Sequence, residues 1–181
     1  MMKQSLRNEI ALLKDTYTEE DLYNFSTQIF QRLTETEEFK KASCILAYYS
    51  FYQEVYTHEF IEKYAKEKKI ILPVVQKDIL VLKEYTGKDQ MRLSKYGILE
   101  PTGPDFTDYS QIDLGVIPGM VFDRNLNRLG RGKAYYDKLL PLLDNAYLAA
   151  VCFSFQLKEE IPVEPHDFKM NCVITQDETI V

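Results

Sequence analysis

The chain has 181 residues, 45% of them hydrophobic and 28% charged, and a formal net charge of −6. That size and balance fit one soluble globular domain, residues 1–181, with a core of its own. The acidic balance offers no global positive field for polyphosphate, which speaks against non-specific nucleic-acid binding, and no apolar run approaches the ~20 residues of a membrane span.

The N-terminal run MMKQSLRNEIALLK carries charges where a secretory signal needs an apolar core. Its period predicts a first helix over residues 3–14, with Leu6, Ile10 and Leu13 on one face. A second helix is expected from Thr18, a capping residue followed at once by Glu19, Glu20 and Asp21, with Leu22, Phe25, Ile29, Phe30 and Leu33 as its apolar face. SCILAYYSF, residues 43–51, reads as a continuous buried strand. Thr57 then caps a helix, HEFIEKYAKEKK. IILPVV is a second buried strand and ILVLKEY a more exposed third. Residues 87–111 hold Gly87, Gly97, Pro101, Gly103 and Pro104 with little periodicity, and read as a long irregular connection. IDLGVIP is a strand ending at Pro118-Gly119, AYYDKLLPLL a helix, YLAAVCFSF a strand, and NCVIT a last strand.

Alternation of this kind predicts an α/β fold, three-layer α/β/α, around a mainly parallel sheet. Ligands of such sheets bind beyond the C-terminal strand ends, which places the site near Tyr49–Glu54, Pro118–Asp123 and Ser154. The three cysteines, Cys44, Cys152 and Cys172, stand apart from one another and from any histidine at zinc spacing, so they read as reduced, buried thiols in a cytoplasmic protein.

The strongest local anomaly is LGRGKAYYDK, residues 129–138. Arg124, Arg128, Arg131 and Lys133 crowd one window without an acidic residue, and Gly115, Gly119, Gly130 and Gly132 fall close by. Glycine-spaced amides, forked arginines and the start of a helix near Gly132 suit an anion. Both common nucleotide patterns fail. A P-loop needs glycine at Asn127 and Ser or Thr at Ala134; the dinucleotide fingerprint needs glycine at Tyr135. A solvated basic loop is the plain alternative. Asp137, four residues after Lys133, either pairs with that lysine or offers a hard oxygen to magnesium. Tyr135 and Tyr136 fit a ring-stacking wall or core packing equally well.

PGMVFDRNLNRLGRGKAYYDKLL resembles the signature of the 5-formyltetrahydrofolate cyclo-ligase family, through Pro118, Gly119, Phe122, Asp123, Arg128, Leu129, Gly130, Arg131, Gly132, Tyr135, Tyr136 and Asp137. Further pieces follow in family order: Lys3 with Arg7; Tyr49-Ser50 through Glu54 and Thr57; Gly97, Glu100 and Pro101; Pro162, Glu164, His166 and Asp167. The resemblance implies a NagB/RpiA-like fold and an enzyme that uses ATP and magnesium to close 5-formyltetrahydrofolate into 5,10-methenyltetrahydrofolate, releasing ADP and phosphate. It also implies the roles. Arg128, Arg131 and Lys133 would serve catalysis. Lys3, Arg7 and residues Arg128, Leu129, Gly130, Arg131, Gly132, Lys133, Ala134, Tyr135 and Tyr136 would bind ATP. Phe51, Glu54, Tyr56, Pro118, Gly119, Phe122 and Tyr135 would border the folate, and Asp137 and Asp167 would hold magnesium. His58 and His166 are given no chemistry.

The implied partner is a small molecule, with no nucleic acid and no membrane, and the implied assembly is a monomer. Two other readings stand beside this one: another phosphate-handling enzyme on the same sheet, and a non-catalytic anion- or RNA-binding relative. One position departs from the signature. Its third glycine is Ala134 here, and because the following residues have a helical pattern, Ala134 is expected in the first helical turn, where alanine is the better helix former.

Overall fold

The computed structural model describes residues 2–181. In chain order it contains α1 (Lys3–Lys14), α2 (Glu19–Glu35), α3 (Glu37–Lys41), β1 (Cys44–Leu46), α4 (His58–Tyr64), β2 (Lys69–Gln76), β3 (Ile79–Glu84), β4 (Met91–Leu93) and β5 (Leu99–Pro101). It continues with β6 (Leu114–Ile117), β7 (Val121–Asp123), β8 (Arg128–Leu129), α5 (Tyr135–Leu139), β9 (Tyr147–Val151), β10 (Leu157–Lys158), β11 (Cys172–Ile174) and β12 (Thr179–Ile180).

The sheet has seven strands in the order β12-β11-β9-β6-β1-β2-β3. Its five central strands are mutually parallel and the two edge strands antiparallel. Side chains alternate between two cores, as a pleat buried on both faces requires. Ile45, Ile70, Val116 and Ala149 face α2 and α4, whereas Leu46, Ile71, Ile117 and Ala150 face α5 and the loops around it. The second outer layer is therefore thin, with one short helix in it. A third cluster, Leu6, Ile10, Val121, Leu129 and Ile161, packs α1 onto a small sheet of order β10-β7-β8. That contact carries α1 to the strand ends where a site is expected.

α1 and α2 match their sequence patterns because local chemistry specifies them. The Thr18 hydroxyl accepts from the Asp21 amide while the Asp21 carboxylate accepts from the Thr18 amide, closing a capping box. The face of α1 differs from the expected one, however. Its buried residues are Leu6, Ile10 and Lys14, and Leu13 is only partly buried.

Elsewhere tertiary structure shortens what the pattern predicts. The strand expected over 43–51 leaves the ladder after Leu46, although Ala47 still donates to the Ile71 carbonyl. Thr57 stands at the N-cap of α4, where its carbonyl accepts from the Ile61 amide, but its side chain does not cap the helix. Its hydroxyl accepts from the Ser50 amide and donates to the Tyr48 carbonyl, stapling the loop that follows β1. The helix expected to run to Lys69 stops at Tyr64. Residues 87–111 contain an antiparallel hairpin, β4 with β5, whose three-residue strands are too short to show alternation. The helix expected over 134–143 ends at Leu139 and tightens into a 3₁₀ turn, Leu140–Leu142, around Pro141, which lacks the amide an α-helix would use.

Candidate active site

The segments that follow β1, β6 and β9 are tied together by polar contacts, Glu54 with Arg131 and Gln156 with the Gly119 carbonyl, and buried polar groups form the floor beneath them. Asp123 is fully buried, and its carboxylate accepts from the amides of Asn125, Asn127 and Ile161 and from the Asn127 side chain. It holds the β7–β8 turn and the segment leading toward residue 164. Phe122 is also fully buried in the core. A Cβ on Gly119 would sit 2.5 Å from its ring, so Phe122 backs the Pro118-Gly119 turn instead of facing the cleft. The Gly119 and Met120 carbonyls accept from Gln156.

The glycine loop lies across this floor. Arg128 is buried beneath it. Its Nε donates to the Pro118 carbonyl at 2.8 Å, its Nη1 reaches the Asp137 carboxylate at 3.2 Å, and its guanidinium lies 5.0 Å from the Tyr136 ring centre. Burial pulls its pKa down, with Asp137 acting against that. Arg128 thus orients Asp137 and supports the loop from below. The ion pair at Asp137 is with Arg128, and Lys133 makes none among the described residues. Lys133 is exposed, its Nζ 5.9 Å from the Tyr96 ring centre at the tip of the β4–β5 hairpin. Gly132 has φ 94° and Ala134 φ 54°, both left-handed. Ala134 therefore stands before the helix, not in its first turn. An alanine there costs on the order of 1 kcal/mol that glycine would not. The helix behind it, α5, has five residues, so the loop's own amides matter more than a helix dipole. Among the described residues, the amides of Arg131, Gly132, Lys133 and Ala134 donate to no other group. Amides left unbonded in this way, in a loop with left-handed Gly132 and Ala134, are groups that an anion can use.

α1 reaches the loop from the side. Arg7 Nε donates to the Gly130 carbonyl at 2.8 Å, and its guanidinium packs by Gly132. One turn earlier, Lys3 Nζ bridges Glu164 at 2.7 Å and Asp167 at 2.9 Å. Burial disfavours the Lys3 charge, but hydrogen bonds to both carboxylates outweigh it and hold its pKa above the ordinary value. Burial alone would lift Asp167; Lys3 and the Glu164 amide prevail and keep it below the usual range. Glu164, His166 and Asp167 place one potential metal-ligand atom each within 4.8 Å of one another. Asp137 lies outside that group and is held separately by Arg128. Both aspartates offer the hard oxygens that suit magnesium, and both face a cation that a metal could replace.

The loop after β1 forms the opposite wall. Glu54 accepts from the Phe51 amide at 2.7 Å and from Arg131 Nη2 at 2.7 Å, tying this wall to the glycine loop. Beside it opens a cavity of ≈520 Å³ lined by Tyr17, Ser50, Phe51, Glu54, Tyr56 and His58. Phe51 and Tyr56 are exposed, at 46% and 37%. His58 is half-buried, stacks on Tyr49 with ring centres 3.7 Å apart and contacts the Ser50 carbonyl, and burial lowers its pKa. Its role is to hold the wall. Tyr135 is half-buried directly after these amides, and Tyr136 turns its ring into the core.

The structure brings Arg7, Gly130, Arg131 and Glu54 into one contact chain. It sets Lys3 and Asp167 at one end and sinks Arg128 and Phe122 beneath the surface. One residue escapes the sequence reading altogether. Lys14 is 4% exposed at the C-terminal end of α1, in the field of Glu54 and Arg131. The available signal was its spacing, since Leu6, Ile10 and Lys14 recur every four residues along one face. The cysteines are free and buried, as their surroundings predict, and burial raises all three thiols.

Comparison with known proteins adds relatives. The model of the 5-formyltetrahydrofolate cyclo-ligase family matches residues 1–176. The mouse 5-formyltetrahydrofolate cyclo-ligase is 27% identical over 97% of this chain and 94% of its own. The Haemophilus influenzae enzyme of the same name is 27% identical over 91% and 92%. An NMR structure of Aquifex aeolicus 5,10-methenyltetrahydrofolate synthetase superposes with a TM-score of 0.89 at 28% identity, covering 99% of this chain and 92% of that one. A Mycoplasma pneumoniae synthetase, 22% identical with a TM-score of 0.79, shares the fold.

Proposed function

The chain belongs to the 5-formyltetrahydrofolate cyclo-ligase family, and from that premise we propose that it closes 5-formyltetrahydrofolate to 5,10-methenyltetrahydrofolate at the expense of ATP. The observation that carries this reading is the link between two walls. Glu54, beside the ≈520 Å³ cavity, is ion-paired at 2.7 Å with Arg131 of the glycine loop, so a folate in the cavity and phosphates on the loop would meet there.

The formyl oxygen is a poor leaving group, and phosphorylation corrects this. A lone pair on that oxygen forms a bond to the terminal phosphorus of ATP, the bond to the bridging oxygen breaks, and the electron pair departs with ADP. The neighbouring folate nitrogen then attacks the activated carbon, its carbon–oxygen bond breaks, phosphate leaves with the pair, and the attacking nitrogen loses its proton. Such transfer asks the protein mainly for positioning and charge compensation. The unused amides of residues 131–134 and the Lys133 ammonium would cradle the phosphates. Arg7 would steady the loop through Gly130, and Arg128 would aim Asp137. Asp137 and Asp167 would hold magnesium, which supplies positive charge beside the transferred group. Phe51, Tyr56 and Tyr135 would border the folate, and Pro118 and Gly119 would shape its floor over Phe122. Lys3 would keep Asp167 ionised until a metal arrives.

The enzyme would act as a cytoplasmic monomer of one domain; no helix among the described residues is long and apolar enough to cross a membrane. The direct test mixes protein, magnesium-ATP and 5-formyltetrahydrofolate and follows near-ultraviolet absorbance of the methenyl product. An ATP-dependent rise is expected; its absence at ample enzyme would sink the reading.

A further inference from the structure

Lys14 is the one buried cation of this region without a partner. It is 4% exposed, and its ammonium makes no hydrogen bond or ion pair among the described residues. No fully buried side-chain nitrogen or oxygen of the described residues lacks a partner, so the Lys14 tip keeps a narrow opening to solvent. Arg131 on the glycine loop, Glu54 on the opposite wall and Cys152 after β9 lie near enough to act on its charge. None of them bonds to it. Both Glu54 oxygens are occupied, one by the Phe51 amide and one by Arg131, and the Cys152 thiol is kept neutral by burial. The next residue, Asp15, holds Gln53 at 2.8 Å, so this end of α1 abuts the loop that lines the cavity.

A lone buried cation is costly unless something binds it. The Asp15–Gln53 bond sets this end of α1 against the cavity loop, and Arg131 of the glycine loop acts on the same charge, so an anion bound between them is what would match it. We propose that Lys14 is a substrate-contacting residue whose ammonium donates to an oxygen of the phosphoryl group as that group passes from nucleotide to formyl oxygen. This rests on the cyclo-ligase reading above. Lys14 keeps its proton throughout: the oxygen–phosphorus bond forms, the bond to the bridging oxygen breaks, and Lys14 only offsets charge on the oxygens in flight. Burial, with Arg131 adding to it and Glu54 opposing, brings Lys14 down to about 8 in the free protein. A bound phosphate would raise it.

Lys14→Met and Lys14→Arg provide the kinetic arm. Lys14→Met should lower kcat by about 100-fold, the scale of one lost transition-state donor, with KM for nucleotide and folate within about threefold. Lys14→Arg should recover part of kcat. Wild-type kcat/KM should fall on a basic limb near pH 8 that Lys14→Met lacks. A Lys14→Met enzyme within about threefold of wild-type kcat overturns the proposal. So does a limb that rises through pH 8, which would mark a neutral base. The second arm needs no turnover. Reductive ¹³C-methylation labels Lys14, identified by the resonance missing from Lys14→Met, and NMR follows its titration with magnesium and a non-hydrolysable ATP analogue. An upward shift of about one unit or more is expected, and an unmoved titration overturns the proposal; should Lys14→Met fail to fold, the resonance missing from Lys14→Arg makes the same assignment. Wild-type protein that forms no methenyl product defeats the cyclo-ligase reading instead, and the titration still reports whether Lys14 meets phosphate.

Discussion

α1 carries cations at both ends, and the protein treats them in opposite ways. At the N-terminal end Lys3 is bound to Glu164 and Asp167, and Arg7 to the Gly130 carbonyl. Arg128 and Arg131 on the loop beside them are matched in the same way, to Asp137 and Glu54. At the C-terminal end Lys14 is matched by nothing among the described residues, and Lys133 across the cleft has only the Tyr96 ring nearby. Paired cations have already spent their field on the protein and act as framework. Unpaired ones keep theirs, and on the roles proposed above a ligand would use it.

The sharpest break in this comparison lies at Lys133. Lys133→Met should reduce turnover by about 10³-fold, the upper range for one electrostatic donor, without moving the thermal midpoint. Equal losses of stability and turnover would mean that Lys133 is framework after all.

Next comes the stability of Lys14→Met. The native-state pKa of about 8 lies below the unfolded value of 10.5, so the unfolded chain binds more protons between those values. The penalty on the folded state is full below pH 8 and fades as pH climbs toward 10.5. Lys14→Met should therefore be more stable than wild type at pH 7, by on the order of 2–3 kcal/mol. The gap should narrow with rising pH in urea titrations at pH 7 and 10. A less stable variant would make Lys14 structural.

Lys3→Met tests the framework side. It should weaken nucleotide binding by about tenfold, roughly one charge-assisted hydrogen bond, when affinity is measured by calorimetry. The Lys3–Asp167 contribution to stability should be present near neutrality. It is lost as pH falls through the depressed Asp167 pKa, and again as it rises through the raised Lys3 pKa. The variant should lack the basic edge and show only a weakened acidic one, because the Glu164 amide still holds Asp167.

The smallest effect is expected at Ala134→Gly. Relief of the left-handed alanine should add about 0.5–1 kcal/mol of stability, part of it offset by the freer unfolded chain. No gain in the thermal midpoint would mean that the loop relaxes around the alanine.

Much of the site was legible in the sequence because its chemistry is concentrated. Gly130, Arg131, Gly132, Lys133 and Asp137 stand within eight positions, and Glu54 follows a buried run whose strand end had to face the cleft. What stayed hidden is direction. Arg128, Arg131 and Lys133 look alike in a row of cations, yet one is buried, one is paired across the cleft and one is exposed. Phe122 belongs to the same stretch as Gly119 and was grouped with the ligand wall, but it sits behind it.

The sequence by itself determined α1 and α2, where apolar period and, in α2, a capping box act within a few residues, and the parallel α/β sheet, where runs buried on both faces leave little choice. It also pointed to the glycine loop as the place where an anion would bind. Tertiary structure alone decided where strands leave the ladder and that Ala134 turns left-handed before α5. It decided, too, which cations find partners. Those outcomes depend on groups more than a hundred residues apart, Arg7 with Gly130 and Lys3 with Asp167, and on a lysine at the end of an apolar stripe that no distant carboxylate reaches. Local spacing sets what a side chain is and which face it shares; only the packed chain sets what stands opposite.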